Sequence, residues 1–309
     1  MADIHTVKTN SNNIPSINGT ALDFDITTDY IWANKAQGLP CLDKKAVVKL
    51  DEDNNPVDWW VVGKDYHEKS HKDYFNKIEE QLIFNMDPNH TAECEVKTKS
   101  ARNGRWGLRD YVFPKVGVPI VTKSGFETTI SLRIVAWSGL DGSSANNFML
   151  GAIDSFCTNG QVFTQAADKD AAITSLYKRN SKNFNLDLFT ETLMSSVKIF
   201  YHQAEQYQLM ADKTLGVNTG LDFIKNIKSF SKAKVEAMQE LFMDEVTVRG
   251  NNLFALHSAF TNYSSHMNAD RFRTRKTKYE DVEAEILFKR EEEISNVLNS
   301  NQWNELLAA

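Results

Sequence analysis

Glu127-Thr128-Thr129-Ile130-Ser131-Leu132-Arg133-Ile134-Val135-Ala136-Trp137 is the stretch that decides the fold class. From Thr129 to Ile134 apolar and polar residues alternate, the period of a strand with one face in a core rather than the spacing of a helix. Two runs of similar texture lie upstream, at residues 92–99 and 105–113. Between them Asn103-Gly104 tolerates positive φ and suits a tight hairpin turn. A further strand is expected over residues 146–156. Earlier still, residues 46–50 and 57–62 form a second predicted hairpin around the turn-rich Asp51-Glu52-Asp53-Asn54-Asn55-Pro56.

Helical spacing marks the segment between the hairpins, where Tyr74, Ile78, Leu82 and Ile83 recur at three- and four-residue intervals. After Val162 it dominates. Residues 186–210 carry an apolar seam of Leu186, Leu193, Val197, Phe200 and Tyr207. Ser231 is an N-cap candidate for a helix bearing Val235, Met238, Leu241 and Phe242, and residues 253–263 and 279–298 predict two more helices. The fold class is therefore α+β, a β-rich N-terminal half (antiparallel sheet with hairpins) packed against a helical C-terminal half. Residues 1–30, poor in apolar positions, read as a partly ordered N-terminal arm. Residues 31–309 read as a single domain, β-rich over 40–165 and helical over 170–300.

With 309 residues, 41% of them hydrophobic and 25% charged, the chain can bury a sizeable core. No apolar run is long enough for a bilayer, and the N-terminus lacks the basic and apolar regions of a signal peptide, so no membrane partner is expected. Cys41, Cys94 and Cys157 are widely separated, which suits a reducing cytoplasm and neither a disulfide framework nor a cysteine zinc site. No cofactor is called for.

His67-Glu68-Lys69-Ser70-His71 matches H-E-x-x-H, in which two histidines one helical turn apart hold zinc and the glutamate serves as base. Its neighbours Lys64, Asp65, Lys72 and Asp73 are charged, unlike those of a buried site helix, and predict an exposed first helical turn. The match reads as coincidence, with a metal-dependent hydrolase using His67, Glu68 and His71 kept as the alternative function. Asp51 to Asn55 begins like a calcium loop but places Pro56 where the sharp turn needs glycine. Phosphate-loop, dinucleotide and nucleophile-elbow motifs are absent from the sequence.

Cations are concentrated locally although the net charge is −6. Two segments interleave them with aromatics. Lys97, Lys99, Arg102, Arg105, Trp106, Arg109 and Tyr111 make the first; Arg271, Arg273, Arg275 and Lys276, beside Phe272 and Tyr279, make the second. Single-stranded DNA is gripped by such mixtures, the cations on phosphates and the rings on bases. The competing reading is a salt-bridged surface facing the acidic C-terminal helix. Lys225, Lys228 and Lys232 would add a basic stripe along a helix.

Ser138-Gly139-Leu140-Asp141-Gly142-Ser143-Ser144, followed by Gly151 and Cys157-Thr158-Asn159-Gly160-Gln161-Val162, resembles the signature of the domain-of-unknown-function 932 family of phage- and plasmid-like proteins. Val61-Val62-Gly63-Lys64-Asp65-Tyr66 and residues 252–266 are similar to flanking family patterns. Asp154 departs from them, standing where the family commonly has a basic residue. The resemblance implies a mobile-element protein of the bacterial cytoplasm acting in DNA replication or recombination. Together with the basic–aromatic segments it gives the leading expectation: a non-enzymatic protein that binds or anneals single-stranded DNA, with a homo-oligomer among its expected forms. A non-catalytic protein that binds a host factor is a further alternative.

Overall fold

The computed structural model describes residues 14–67, 69–144, 146–156, 160–162, 186–266 and 283–309. The chain is α+β, with two antiparallel sheets in its N-terminal half and a helical C-terminal half. The small sheet has the order β1 (Ile26–Asn34), β2 (Leu39–Leu50), β3 (Pro56–Gly63). Helices α1 (His71–Asn85) and α2 (Pro88–Thr91) follow. The large sheet is a simple meander: β4 (Glu95–Ala101), β5 (Trp106–Val121), β6 (Glu127–Gly139), β7 (Asn147–Asp154) and β8 (Gly160–Val162). Helices α3 (Leu186–Asp212), α4 (Val217–Lys225), α5 (Lys232–Arg249), α6 (Leu253–His266), α7 (Glu283–Leu298) and α8 (Asn301–Ala308) complete the described chain.

Local chemistry explains the boundaries. The β4–β5 turn runs through Arg102, Asn103 and Gly104, all at positive φ. At Gly104 a Cβ would also meet the Phe24 ring at 2.9 Å, so only glycine fits both the backbone and the packing. Ser70 caps α1 in a reciprocal capping box with Asp73, and Ser231 caps α5 as its position predicts.

The long buried run of β6 has a structural cause: the large sheet is covered on both faces. On one side Tyr111, Phe113, Leu132, Ile134 and Phe148 pack with Tyr74, Phe75, Ile78 and Leu82 of α1 and Phe200 of α3. Burying each of these large side chains stabilises by roughly 1.5–3 kcal/mol relative to exposure. On the other side Trp106, Leu108, Val135 and Trp137 receive Ala284 and Phe288 of α7, with Phe288 stacked on Trp137 at 4.6 Å.

Within the expected N-terminal arm, the described residues from Ile14 onward pack on the fold. Ile14, Ile17 and Leu22 are buried in the main core, and β1 starts at Ile26. The lysine stripe is not formed: Lys225 ends α4, Lys228 lies between helices, and Lys232 begins α5.

Candidate functional site

The β4–β5 hairpin gathers the first basic–aromatic segment, but the fold engages its arginines internally. Arg102 makes a two-pronged contact with Glu285 of α7 (Nε to Oε2 3.0 Å, Nη2 to Oε1 3.2 Å) and donates to Ser143 at 2.9 Å. Its guanidinium lies 3.6 Å from the Trp106 ring centroid. Burial pulls the Glu285 carboxyl up, but hydrogen bonds from Arg102 and Lys289 outweigh it and hold that group below the ordinary glutamate range. Arg105 clasps Asp58 of β3, with Nη2 at 3.0 and 2.9 Å from its two oxygens, and so ties the small sheet to the large one. Trp106 is buried, its indole N–H shared between Asp141 (3.0 Å) and Ser143 (3.1 Å).

Arg109 and Tyr111 point to the α1 side of the sheet. Arg109 is 1% exposed, pairs with Glu79 of α1 and donates to the Pro15 carbonyl at 2.5 Å. The Tyr111 hydroxyl donates to Glu79 at 2.8 Å. As folded here, neither presents itself to a ligand. The alternation of β5 turns both residues, expected from sequence to contact DNA, into a face that α1 covers. Lys97 and Lys99 are half-exposed on the α7 side, opposite Asp110 and Leu108. Arg271, Arg273, Arg275 and Lys276 lie outside the described residues.

Two more arginines, unmarked in the sequence, follow the same rule. Arg133 bonds Asp110 twice at 2.8 Å and Glu291 of α7 at 2.7 Å. Arg249 of α5 joins Glu245 at 2.6 Å to Asp154 of β7 at 2.8 Å. Asp154, where the resembled pattern has a base, is thus the buried counter-ion of Arg249 and also accepts from the Thr128 hydroxyl. A lone buried charge costs several kcal/mol, so each arginine requires its carboxylate. These pairs link sheet to sheet and sheet to helix, and the salt-bridged reading holds for Arg102 and Arg133 against α7.

The signature after Ser138 is a clasp for tryptophans. Asp141 and Ser143 take the Trp106 indole, Ser144 takes that of Trp137 at 2.6 Å, and Asn146 accepts from the Gly139 amide at 2.9 Å. Gly142 turns at φ +72. Gly160 serves close approach rather than a turn: it lies in β8 with the Arg133 guanidinium where a Cβ would stand. Cys157 and Asn159 lie outside the described residues.

The H-E-x-x-H spacing does not become a helical pair. Helix α1 begins at His71, so His67 precedes it, and Glu68 lies outside the described residues. The predicted exposed turn is instead buried at its first residue. His71 donates from Nε2 to the Gly104 carbonyl at 2.6 Å, and burial lowers its pKa to about 4. Among the described residues no group of three His, Cys, Asp or Glu side chains is placed to hold a metal ion. The calcium-like loop is a hairpin turn in which Asp51 accepts from the amides of Asp53 and Asn55.

What the sequence reading missed is the small sheet's surface. Tyr30 is 67% exposed, Trp32 41% and Trp59 61%, accompanied by Leu39, Leu42, Val57 and Val61. Tyr30 and Trp32 stand with ring centroids 6.1 Å apart. Lys45 is opposite Tyr30 in register, Lys35 lies in the turn after β1, and Lys64 follows β3. A signal existed in the adjacent Trp59-Trp60: neighbours on a strand face opposite ways, so one of them had to point away from whatever core held the other. No helix among the described residues is long and apolar enough to cross a membrane. No family model matches the chain, and no curated protein or solved structure is significantly similar to it.

Proposed function

We propose that this chain is a non-catalytic protein that binds single-stranded DNA, and that the strand lies on the distal end of the small sheet rather than on the β4–β5 hairpin. The observation that carries this reading is the exposed Tyr30–Trp32 pair, with rings 6.1 Å apart, among Lys35, Lys45 and Lys64. Exposed rings side by side offer stacking faces to bases, each stack contributing ~1–3 kcal/mol whatever the base. The exposed Lys35 and Lys64 supply phosphate contacts. Asp43 and Asp65 stand at the same end, so the electrostatic contribution is small and binding is expected to be weak, on the order of micromolar and confined to low salt. The buried arginines are not needed for this role.

Fluorescence anisotropy of a labelled oligothymidylate, titrated with the chain across a salt series, tests the proposal. Contacts from the exposed Lys35 and Lys64 give a log–log salt slope of about −1.4. Replacing Tyr30 and Trp32 together by alanine removes two stacks and lowers affinity by about a hundredfold or more. Absence of binding at low salt, or unchanged affinity in the double variant, refutes it.

A further inference from the structure

The small sheet has two outer edges, and the same device sits on both. The Leu50 amide donates to the Asp25 carbonyl at 3.0 Å, and the Lys64 amide to that of Asp43 at 3.1 Å. Hydrogen-bonded pairs recur every second residue of an antiparallel ladder. With the register, these bonds fix the phase: β1 turns the backbone groups of Ile26 and Tyr30 outward, and β3 turns those of Trp59 and Val61 outward. On each edge an aspartate directly precedes an exposed aromatic, as Asp29-Tyr30 and Asp58-Trp59. The Asp29 carboxylate accepts from the Tyr30 amide at 2.7 Å, and that of Asp58 from the Trp59 amide at 2.8 Å.

On β3 Arg105 completes the closure, bonding Asp58 and donating to the Trp59 carbonyl at 3.2 Å. Asp29 is the one charged residue of β1, and among the described residues no strand pairs with the outer side of β1. A free edge that carries exposed Tyr30 and Trp32 is a template for another strand. Such a strand would bring a carbonyl to the Tyr30 amide. The Asp29 carboxylate already holds that position through a charge-assisted bond, and pairing would force its charge into the ladder. Past Tyr30 the pairing of β1 with β2 shifts register, so the regular edge ends there.

We infer that Asp29 guards the β1 edge, holding the amide that an incoming strand needs and so keeping the small sheet three-stranded. Without that carboxylate, β1 pairs antiparallel with β1 of a second copy. Twofold pairing sets Ile26 of one copy against Tyr30 of the other, an aliphatic–aromatic pair, and residue 29 against Thr27. In that arrangement the two Asp29 carboxylates lie diagonally across the new ladder, so the natural chain opposes it by repulsion as well as by the occupied amide. Asp25 falls beyond the paired stretch. The inference does not depend on where DNA binds.

Sedimentation velocity of the full chain without DNA, from roughly 10 µM to 500 µM, is the test, joined to hydrogen exchange of the peptide spanning β1. Wild type should show no association through β1. Asp29→Thr should dimerise about tenfold or more tightly than wild type, with slowed exchange over residues 26–30. Asp29 is exposed and threonine suits a strand, so circular dichroism of the variant should match wild type. Adding Thr27→Asp to Asp29→Thr returns a carboxylate to the same edge and should restore wild-type behaviour. An Asp29→Thr chain as monomeric as wild type overturns the inference. So does association that leaves β1 exchange unchanged, a wild type already paired through β1, or a Thr27→Asp chain that still dimerises. Since no DNA is present, either result leaves the DNA reading to its own test.

Discussion

Neutralising Glu79 asks directly whether Arg109 is a structural cation or a ligand contact. The carboxylate is the counter-ion of a guanidinium that is 1% exposed, and its Oε1 also accepts the Tyr111 hydroxyl at 2.8 Å. Glu79→Gln keeps an acceptor oxygen for Tyr111 but strands the Arg109 charge between β5 and α1. Deleting one partner of a buried pair costs about 3–5 kcal/mol, and the preserved acceptor puts Glu79→Gln at the lower end. Glu79→Leu also leaves the Tyr111 hydroxyl without that acceptor, adding ~1–3 kcal/mol. Combining Glu79→Leu with Arg109→Met removes both charges at similar volume and should recover at least ~2 kcal/mol of the summed single losses, because contacting residues are coupled. Urea unfolding followed by tryptophan fluorescence and far-UV circular dichroism measures each value. A Glu79→Gln cost below ~1 kcal/mol would refute the reasoning. So would an Arg109→Met variant that keeps its stability but loses affinity for oligothymidylate, which would return Arg109 to the DNA surface.

Four further outcomes are expected. The pKa of His71 is lowered in the fold to about 4 from an ordinary 6.5, so the unfolded chain takes up the proton first as pH falls. Stability from the neutral ring is therefore complete above pH 6.5 and is lost toward pH 4, by about 3 kcal/mol in all. His71→Gln should flatten the dependence of stability on pH by up to one proton across that window, and equal slopes would contradict the assignment. Arg105→Ala cuts the half-buried tie to Asp58 and should cost only ~1 kcal/mol globally, while hydrogen exchange in β2 and β3 rises; unchanged exchange there would show that the tie does not hold the sheets together. Trp106→Phe loses the indole bonds to Asp141 and Ser143 and should cost ~1–2 kcal/mol without altering DNA affinity. Gly107→Ala drives a Cβ to 2.7 Å from Leu22 and 3.0 Å from His71, and calorimetry should find it destabilised by ~1–3 kcal/mol.

The alternation in residues 129–134 and the helical spacings after Val162 made the α+β class, with a β-rich half before a helical half, readable from sequence. Buried charge was not readable in the same way. In β5, Trp106, Leu108 and Asp110 share one face while Arg109, Tyr111 and Phe113 share the other; with helices on both sides, neither set marks solvent. An arginine on such a strand looks like a phosphate ligand until Glu79 of α1 or Glu285 of α7 is seen against it. The extent of β5 was hidden by Pro114, near which the pairing with β6 shifts from Phe113 to Gly117, an irregularity that reads in sequence as a strand end. Strand β1 escaped because Thr27, Thr28 and Asp29 dilute its apolar residues, and its exposed Tyr30 and Trp32 escaped with it.

The proposed site for single-stranded DNA is the end of the small sheet and not the arginine hairpin. Photocrosslinking of an oligonucleotide carrying 5-iododeoxyuridine, followed by mass-spectrometric mapping of the adducts, tests it most directly. Adducts on Tyr30 and Trp32, competed by unlabelled oligothymidylate and suppressed by salt, are the predicted result. Adducts on Trp106 or Tyr111, or none above a non-binding control, would contradict it.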